Sequence, residues 1–293
     1  MKSGLITIVG RPNAGKSTLT NTLCGSKVAI VSNKPQTTRN RISAVTCFDG
    51  VQLVLMDTPG FHKPKNKLDD AMQRTVNESM SEVDAIVLVV EPIARIGKPE
   101  SILLERIDRQ TPCILVINKV DKLPRHEILP VIKLYNEQMD FAAIIPLSAK
   151  TGEGVNLLKH ELAKLMPEGP QLFPDGMITD QPDQIYACEL VREKLLWALN
   201  QEIPHGIACV CERWGESPGL LSIGVTIVCE RDSHKSIVIG KHGAVLKKVG
   251  EQARVELEKF FGCKVFLETW VKVRKNWRDS QAHVRSYGYM TDG

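Results

Sequence analysis

No apolar run in this 293-residue chain comes near the roughly 20 residues that a membrane-spanning helix requires. The stretches 5–9 and Ala85–Val90 are each too short for a signal-peptide core, and the first runs straight into a glycine-containing loop, so nothing marks the chain for export. A long basic amphipathic helix is missing too, which limits any membrane contact to the periphery. Of the eight cysteines only Cys209 and Cys211 lie close together, and no pair has the spacing of zinc or dithiol redox sites. That pattern predicts reduced, mostly buried thiols in a cytosol. Internal repeats and low-complexity tracts are absent. A strong charge of either sign is lacking as well, since a net charge of +4 is too mild to identify a nucleic-acid binder from the total.

What is present is the composition of soluble globular protein, 43% hydrophobic and 25% charged, with length for about two domains. Short branched-aliphatic runs recur at 5–9, 51–56, Ala85–Val90, Cys113–Ile117 and 142–145, separated by longer polar stretches with helical spacing. This alternation predicts an α/β domain with a mostly parallel sheet flanked by helices. One further run, Ile42–Phe48, precedes Val51 with only Asp49 and Gly50 between, a two-residue hairpin signal that makes the sheet mixed. The alternation stops after the helical stretch Val155–Leu165. Pro167, Pro170, Pro174 and Pro182, with Gly169 and Gly176, then read as a linker. A helix at about 184–200, strands at 207–212 and 221–229, a glycine loop, a second helix and a strand at 265–273 predict an α+β domain. The expected boundaries are 1–168, a linker at 169–182, and 183–293.

The chemistry is concentrated at strand ends. Gly10, Arg11, Pro12, Asn13, Ala14, Gly15, Lys16 and Ser17 fit G-x-x-x-x-G-K-[ST], with Thr18 following, at the junction of a strand and a helix. Glycines let backbone N–H groups converge on phosphates, Lys16 neutralises their charge, and the Ser17 hydroxyl is suited to Mg²⁺. Asp57, Thr58, Pro59 and Gly60 follow a second strand, placing Asp57 to hold a Mg²⁺-bound water and Gly60 to offer an N–H to a γ-phosphate. Asn118, Lys119 and Asp121 follow a third strand, and Ser148, Ala149 and Lys150 a fourth. A carboxylate at Asp121 can accept both N1–H and the 2-amino N–H of guanine. Adenine has no 2-amino group, so this pair selects GTP and GDP.

These four motifs in this order resemble the translation-factor class of GTPases, over about the first 165 residues. Pro35 to Arg39, and Phe61 directly after Gly60, are similar to the Era-like branch. The resemblance implies a P-loop GTPase in which Lys16, a switch threonine (Thr38 or Thr37) and Gly60 serve hydrolysis, with Ser17, Thr38 and Asp57 at the metal. Phe61 has no polar group to orient water, which implies slow intrinsic turnover. Asn13 has two readings, a turn-forming residue or, by resemblance, a K⁺ ligand. The basic stretch 62–67 likewise reads as a solvated loop or as a contact to RNA phosphate.

Farther along, Ile239, Gly240, Lys241, His242 and Gly243 form a G-x-x-G loop between an apolar run and a helix whose Val245, Leu246, Val249, Ala253 and Leu257 keep helical spacing. In a KH module such a loop clamps the backbone of about four nucleotides. The chain's positive balance gathers here, in Lys247, Lys248, Lys272, Arg274 and Lys275 among others. Trp270 and Trp277 lie beside those basic residues, suited either to stacking on RNA or, for Trp270 on the final strand, preferentially to the core.

The element order resembles the type II-like KH domain that ends members of the Era-like branch. That resemblance implies a switch acting on single-stranded RNA, the 3′ end of 16S rRNA, in assembly of the small (30S) ribosomal subunit. It further implies a cytoplasmic monomer whose association with the inner membrane, if any, is peripheral. Two alternatives stay open. One is a GTPase whose KH-like domain docks a protein. The other is a tRNA-modifying GTPase, weakened by a C-terminal tail, 286–293, that lacks cysteine.

Overall fold

The computed structural model describes residues 1–289. By internal contacts the chain divides into two compact units, the first comprising Met1–Val31, Thr38–Lys65 and Asp69–Asp180, the second Ser32–Thr37, Asn66–Leu68 and the chain from Gln181 onward.

In the first unit six strands form one sheet in the order β2-β3-β1-β4-β5-β6. They are β1 (Lys2–Val9), β2 (Ile42–Phe48), β3 (Val51–Asp57), β4 (Ala85–Val90), β5 (Cys113–Ile117) and β6 (Ala143–Pro146). Only β2 runs antiparallel, through the hairpin in which Asp49 and Gly50 both take the positive φ that such a tight turn needs. Every residue of β3, β4 and β5 is buried, as expected of parallel strands covered on both faces. The helices are α1 (Lys16–Cys24), α2 (Lys67–Glu78), α3 (Lys98–Arg106), α4 (Ile128–Asn136) and α5 (Val155–Leu165). Asp69 and Asp70 sit in the first turn of α2, where the helix dipole favours anions. Apolar residues pack on both faces of the sheet, Leu19, Leu55 and Leu158 in one cluster and Val76, Leu103 and Tyr135 in the other.

The proline-rich stretch is tied to this sheet. Ser3 Oγ donates to the Pro170 carbonyl (2.6 Å), the Gln52 amide both donates to Phe173 and accepts from it, and Val45 N–H donates to the Ile178 carbonyl (2.9 Å). Residues 166–180 thus satisfy polar groups of the interior strands β1 and β3 and pair briefly with the edge strand β2, Ala44 bridging Thr179.

The second unit contains α6 (Asp183–Ala198), β7 (Ala208–Ser217), β8 (Leu220–Cys229), α7 (Asp232–Ile239), α8 (Ala244–Phe261), β9 (Lys264–Val273) and α9 (Gln281–Ser286). Its sheet runs β7-β8-β9, antiparallel then parallel. Two expectations are corrected here. The apolar run before the glycine loop, which the sequence pattern assigns to no element, is the helix α7, so the loop joins two helices; its β-branched Ile237, Val238 and Ile239 carry no helical preference of their own. Trp277 is fully buried, its indole N–H donating to the Gly206 carbonyl (2.9 Å), and so is no stacking platform. None of the eight cysteines, all among the described residues, is in a disulfide, and Cys113, Cys188, Cys209 and Cys229 are buried.

Candidate functional site

The nucleotide-site motifs converge on the carboxyl edge of the six-stranded sheet because each follows a strand that points there. β1 leads into the loop 10–15, and α1 begins at Lys16 with no side-chain cap, leaving its first N–H groups and positive end to an anion. Lys16 is buried, its ammonium donating to the carbonyls of Gly10 and Arg11 (both 3.1 Å). Burial lowers its pKa to about 8, while Asp57 pulls it back up. A buried cation of this kind is stabilised by an arriving phosphate.

Asp57, at the end of β3, is fully buried. Its Oδ2 accepts from Ser17 Oγ (2.6 Å) and from Thr38 Oγ1 (3.3 Å), and the two hydroxyls lie 2.7 Å apart. Burial raises the Asp57 pKa, opposed by Lys16 and by these hydrogen bonds. Asp57 Oδ1 has no hydrogen-bond partner although buried. Two hydroxyls and a carboxylate with a spare buried oxygen make a hard oxygen donor set, which fits Mg²⁺. The structure brings Thr38 to this cluster and turns Thr37 elsewhere, its hydroxyl 2.7 Å from Ser32 Oγ and donating to the Lys34 carbonyl (2.7 Å).

Thr58 Oγ1 donates to the Ile8 carbonyl (2.7 Å), and Pro59 is buried beside it. Gly60 lies so close to the phosphate loop that a Cβ there would stand 2.7 Å from the Pro12 backbone. Phe61 N–H donates to the Gly10 carbonyl (3.1 Å), while its ring is buried in the sheet's core with the Arg106 guanidinium 5.0 Å from its centroid.

On the other side of the cleft Asn118 ties two motifs together. Its Nδ2 donates to the Ala14 carbonyl (2.8 Å) and its Oδ1 accepts from Ala149 N–H (2.9 Å). Lys119 takes a left-handed backbone (φ 66°) and sends its ammonium to the Asn13 carbonyl (2.5 Å). Asp121 is open to solvent. Its Oδ1 accepts from Ser148 Oγ (2.7 Å), which, with Lys150 and Lys122 nearby, holds the carboxyl below its usual range. Lys150 is exposed and Thr18 half-buried at the start of α1.

The motif reading missed Glu91. It follows β4 at the same sheet edge, pairs with Lys119 (2.6 Å) and is hydrogen-bonded by Arg11, whose other nitrogen faces Glu100 (3.5 Å). Burial tends to raise the Glu91 pKa, but hydrogen bonds from Lys119 and Arg11 outweigh it and leave the value lowered. The available signal was position alone, a carboxylate directly after a strand of the sheet.

Comparison with known proteins decides the family. A 50S ribosome-binding GTPase family model matches residues 5–119, and a KH domain model matches residues 202–278. GTPase Era of Ruminiclostridium cellulolyticum is 45% identical over 293 residues, covering 99% of this chain and 98% of that protein. The chain belongs to the Era family of GTPases. Clostridium kluyveri GTPase Era is 47% identical over 291 residues, covering 99% of each chain. A crystal structure of Era in complex with MgGDPNP and nucleotides 1506–1542 of 16S ribosomal RNA superposes with a TM-score of 0.95 at 37% identity, covering 99% of this chain and all (100%) of that one. An Aquifex aeolicus Era variant bound to GDP·AlF4⁻ gives 0.96 at 38% identity, with the same coverage. As an Era-family GTPase the chain hydrolyses GTP and carries a KH domain.

Within that KH domain Gly240 has φ 75°, and a Cβ there would meet Val245 Cγ2 at 2.5 Å. Lys241 and His242 are exposed between the two glycines, His242 in a left-handed backbone (φ 51°). Ile239 is half-buried at the end of α7, and Lys247 and Lys248 are exposed on α8. Lys272 is paired with Glu212 (2.7 Å) across the sheet, whereas Arg274 and Lys275 are exposed beyond β9. Trp270 is 41% exposed, so the expectation of a core position for it is corrected: it lies over Gly224 on the sheet face opposite buried Val265.

Proposed function

We propose that this Era-family GTPase binds the 3′ end of 16S rRNA through its KH domain during assembly of the small ribosomal subunit, with the nucleotide state deciding when RNA is held. The carrying observation is the exposed Lys241–His242 pair, presented by a Gly240 whose geometry excludes any side chain. The full-length likeness to an Era bound to nucleotides 1506–1542 of 16S ribosomal RNA supports the same reading. Roles follow the geometry. Lys16 neutralises phosphate, Ser17, Thr38 and Asp57 hold Mg²⁺, Asp57 through water, Gly60 donates to the γ-phosphate, and Asp121 reads the guanine edge. Asn13 is assigned to K⁺, which comparison of turnover in K⁺ and Na⁺ salts tests. The exposed Lys241 and His242 contact RNA phosphates with Lys247, Lys248, Arg274 and Lys275, and Lys272 joins them by exchanging its Glu212 partner. The proposed domains are 1–168 and 183–293, joined by the linker 169–182. The protein acts as a monomer in the cytoplasm, with any inner-membrane contact peripheral. Among the described residues no helix is long and apolar enough to cross a membrane.

The test is RNA affinity of the full chain with GDP against a non-hydrolysable GTP analogue, using an RNA of the 16S 3′-terminal sequence. A difference of about fivefold or more is expected, since sites coupled through a switch typically exchange 1–3 kcal/mol. Equal affinities remove the coupling, because a ligand shifts only an equilibrium whose states it binds differently. RNA binding that ignores salt removes the phosphate-clamp reading in favour of protein docking.

A further inference from the structure

His62 lies two residues beyond Gly60, in the loop between β3 and α2. Its Nδ1 is 2.8 Å from the Gly60 carbonyl oxygen, and its Nε2 is 3.3 Å from Asp69 Oδ1. Both of these atoms are acceptors without a hydrogen, and the Gln73 Nε2 amide, a donor beside them, is farther off, 3.4 Å from Nδ1 and 3.5 Å from the same Gly60 carbonyl. A neutral imidazole owns one N–H and one lone pair, so it satisfies one of them and turns a lone pair on the other. The imidazolium satisfies both.

The surroundings favour that charged form. Asp69 is buried, occupies the first turn of α2 where the dipole stabilises an anion, and has its second oxygen fixed by Lys65 N–H (2.9 Å). Of the charged groups facing the ring, Asp69 of α2 supports the charge and Lys65 of the same loop opposes it; the uncharged Gln73 amide of α2 stands 3.4 Å from Nδ1. Burial works against the charge, but the Asp69 and Gly60 acceptors outweigh it, so the His62 pKa lies above its ordinary value.

The carbonyl that His62 holds belongs to the Gly60–Phe61 peptide. The N–H of that same peptide donates to the Gly10 carbonyl (3.1 Å). The peptide is therefore clamped at both ends, to the phosphate loop on one side and, through His62, to α2 on the other.

We propose that His62, as the imidazolium, is a positioning residue for GTP hydrolysis: it bridges Asp69 to the Gly60 carbonyl, fixes the Gly60–Phe61 peptide against the phosphate loop, and releases that peptide on losing its proton. This rests on the reading of Gly60 as the γ-phosphate contact. Because the folded-state pKa is raised, the bridge is complete below about 6.5, the ordinary imidazole value, and is lost as pH rises through the higher one.

The experiment is single-turnover GTP hydrolysis by the full chain from about pH 6 to about pH 9, with His62→Gln and Asp69→Asn alongside. The wild-type rate should fall about five- to tenfold across a single ionisation, the effect of losing one charge-assisted hydrogen bond. His62→Gln should run flat near the wild-type high-pH level, and Asp69→Asn should move the midpoint down toward the ordinary imidazole value. The His62 ring resonance, followed by NMR, should titrate with the same raised midpoint. A transition that persists in His62→Gln, a midpoint unmoved by Asp69→Asn, or a ring that titrates at or below its ordinary value would overturn the proposal. Binding of a fluorescent GDP analogue separates this bridge from the nucleotide site, because GDP lacks the γ-phosphate. Loss of GDP by either variant would overturn the proposal as general damage, and full hydrolysis by Gly60→Ala would sink the underlying reading with it.

Discussion

Asp121 stands at the mouth of the cleft on a single 3₁₀ turn, Val120–Lys122, with its carboxylate oriented by Ser148. Because the base is read by hydrogen bonds that leave this charge unmet when the wrong partner is present, Asp121→Asn should weaken GTP binding by about 100-fold or more and transfer preference to xanthosine triphosphate, measured by calorimetry with both nucleotides. Unchanged preference for guanosine would refute the assignment. Trp277 supplies a contrasting case at the same scale. Trp277→Phe removes a buried N–H and leaves the Gly206 carbonyl without its donor, so stability should drop by about 1–3 kcal/mol in denaturant unfolding, with RNA affinity retained. Loss of RNA binding without loss of stability would restore the stacking role that burial argues against. Thr37 and Thr38 show where reading residues one at a time fails. Adjacent threonines are chemically identical, and only the path of the backbone decides which hydroxyl reaches Asp57.

The glycine loop of the KH domain is a small device of two helices meeting at an angle that only glycine permits. Gly240 combines a positive φ with a contact of 2.5 Å to a would-be Cβ, whereas Gly243 has a positive φ and open space around it. Gly240→Ala should therefore cost more stability than Gly243→Ala, for which the backbone penalty alone is about 1–2 kcal/mol. RNA affinity should fall more than tenfold in the first, read by filter binding beside thermal melts. Equal effects of the two substitutions would show that the Val245 contact relaxes freely. The helix α7 that leads into this loop was not legible, because its three successive β-branched or aliphatic residues satisfy the local preference of a strand. Tertiary packing, which buries Val238, overrides that preference.

Across the whole molecule the charge is too evenly mixed to announce a polyanion partner. What matters is that Lys241, Lys247, Lys248, Arg274 and Lys275 are all exposed within one compact unit. The logarithm of RNA affinity should fall linearly with the logarithm of salt concentration, and Lys241→Ala should reduce that slope by about one while leaving the melting temperature in place. A slope unaffected by the substitution would mean that Lys241 touches no phosphate.

Much of this was present in the chain before any folding was considered. Strand-end motifs carry their own chemistry, because the phosphate loop and the proposed metal-side and guanine-reading carboxylates each depend on residue type at fixed short spacing, and the alternating aliphatic runs place them along one sheet edge. Three-dimensional packing settled what short spacing cannot express. Glu91 meets Lys119 and Arg11 only because separate strands end side by side, Trp270 and Trp277 part company because one faces outward on β9 and the other closes a buried turn, and His62 gains two acceptors from a helix and a loop that folding brings around it. Local sequence specifies which groups are available, and long-range contacts decide which of them lose water and acquire partners. Those two changes set the charge and geometry on which chemistry depends.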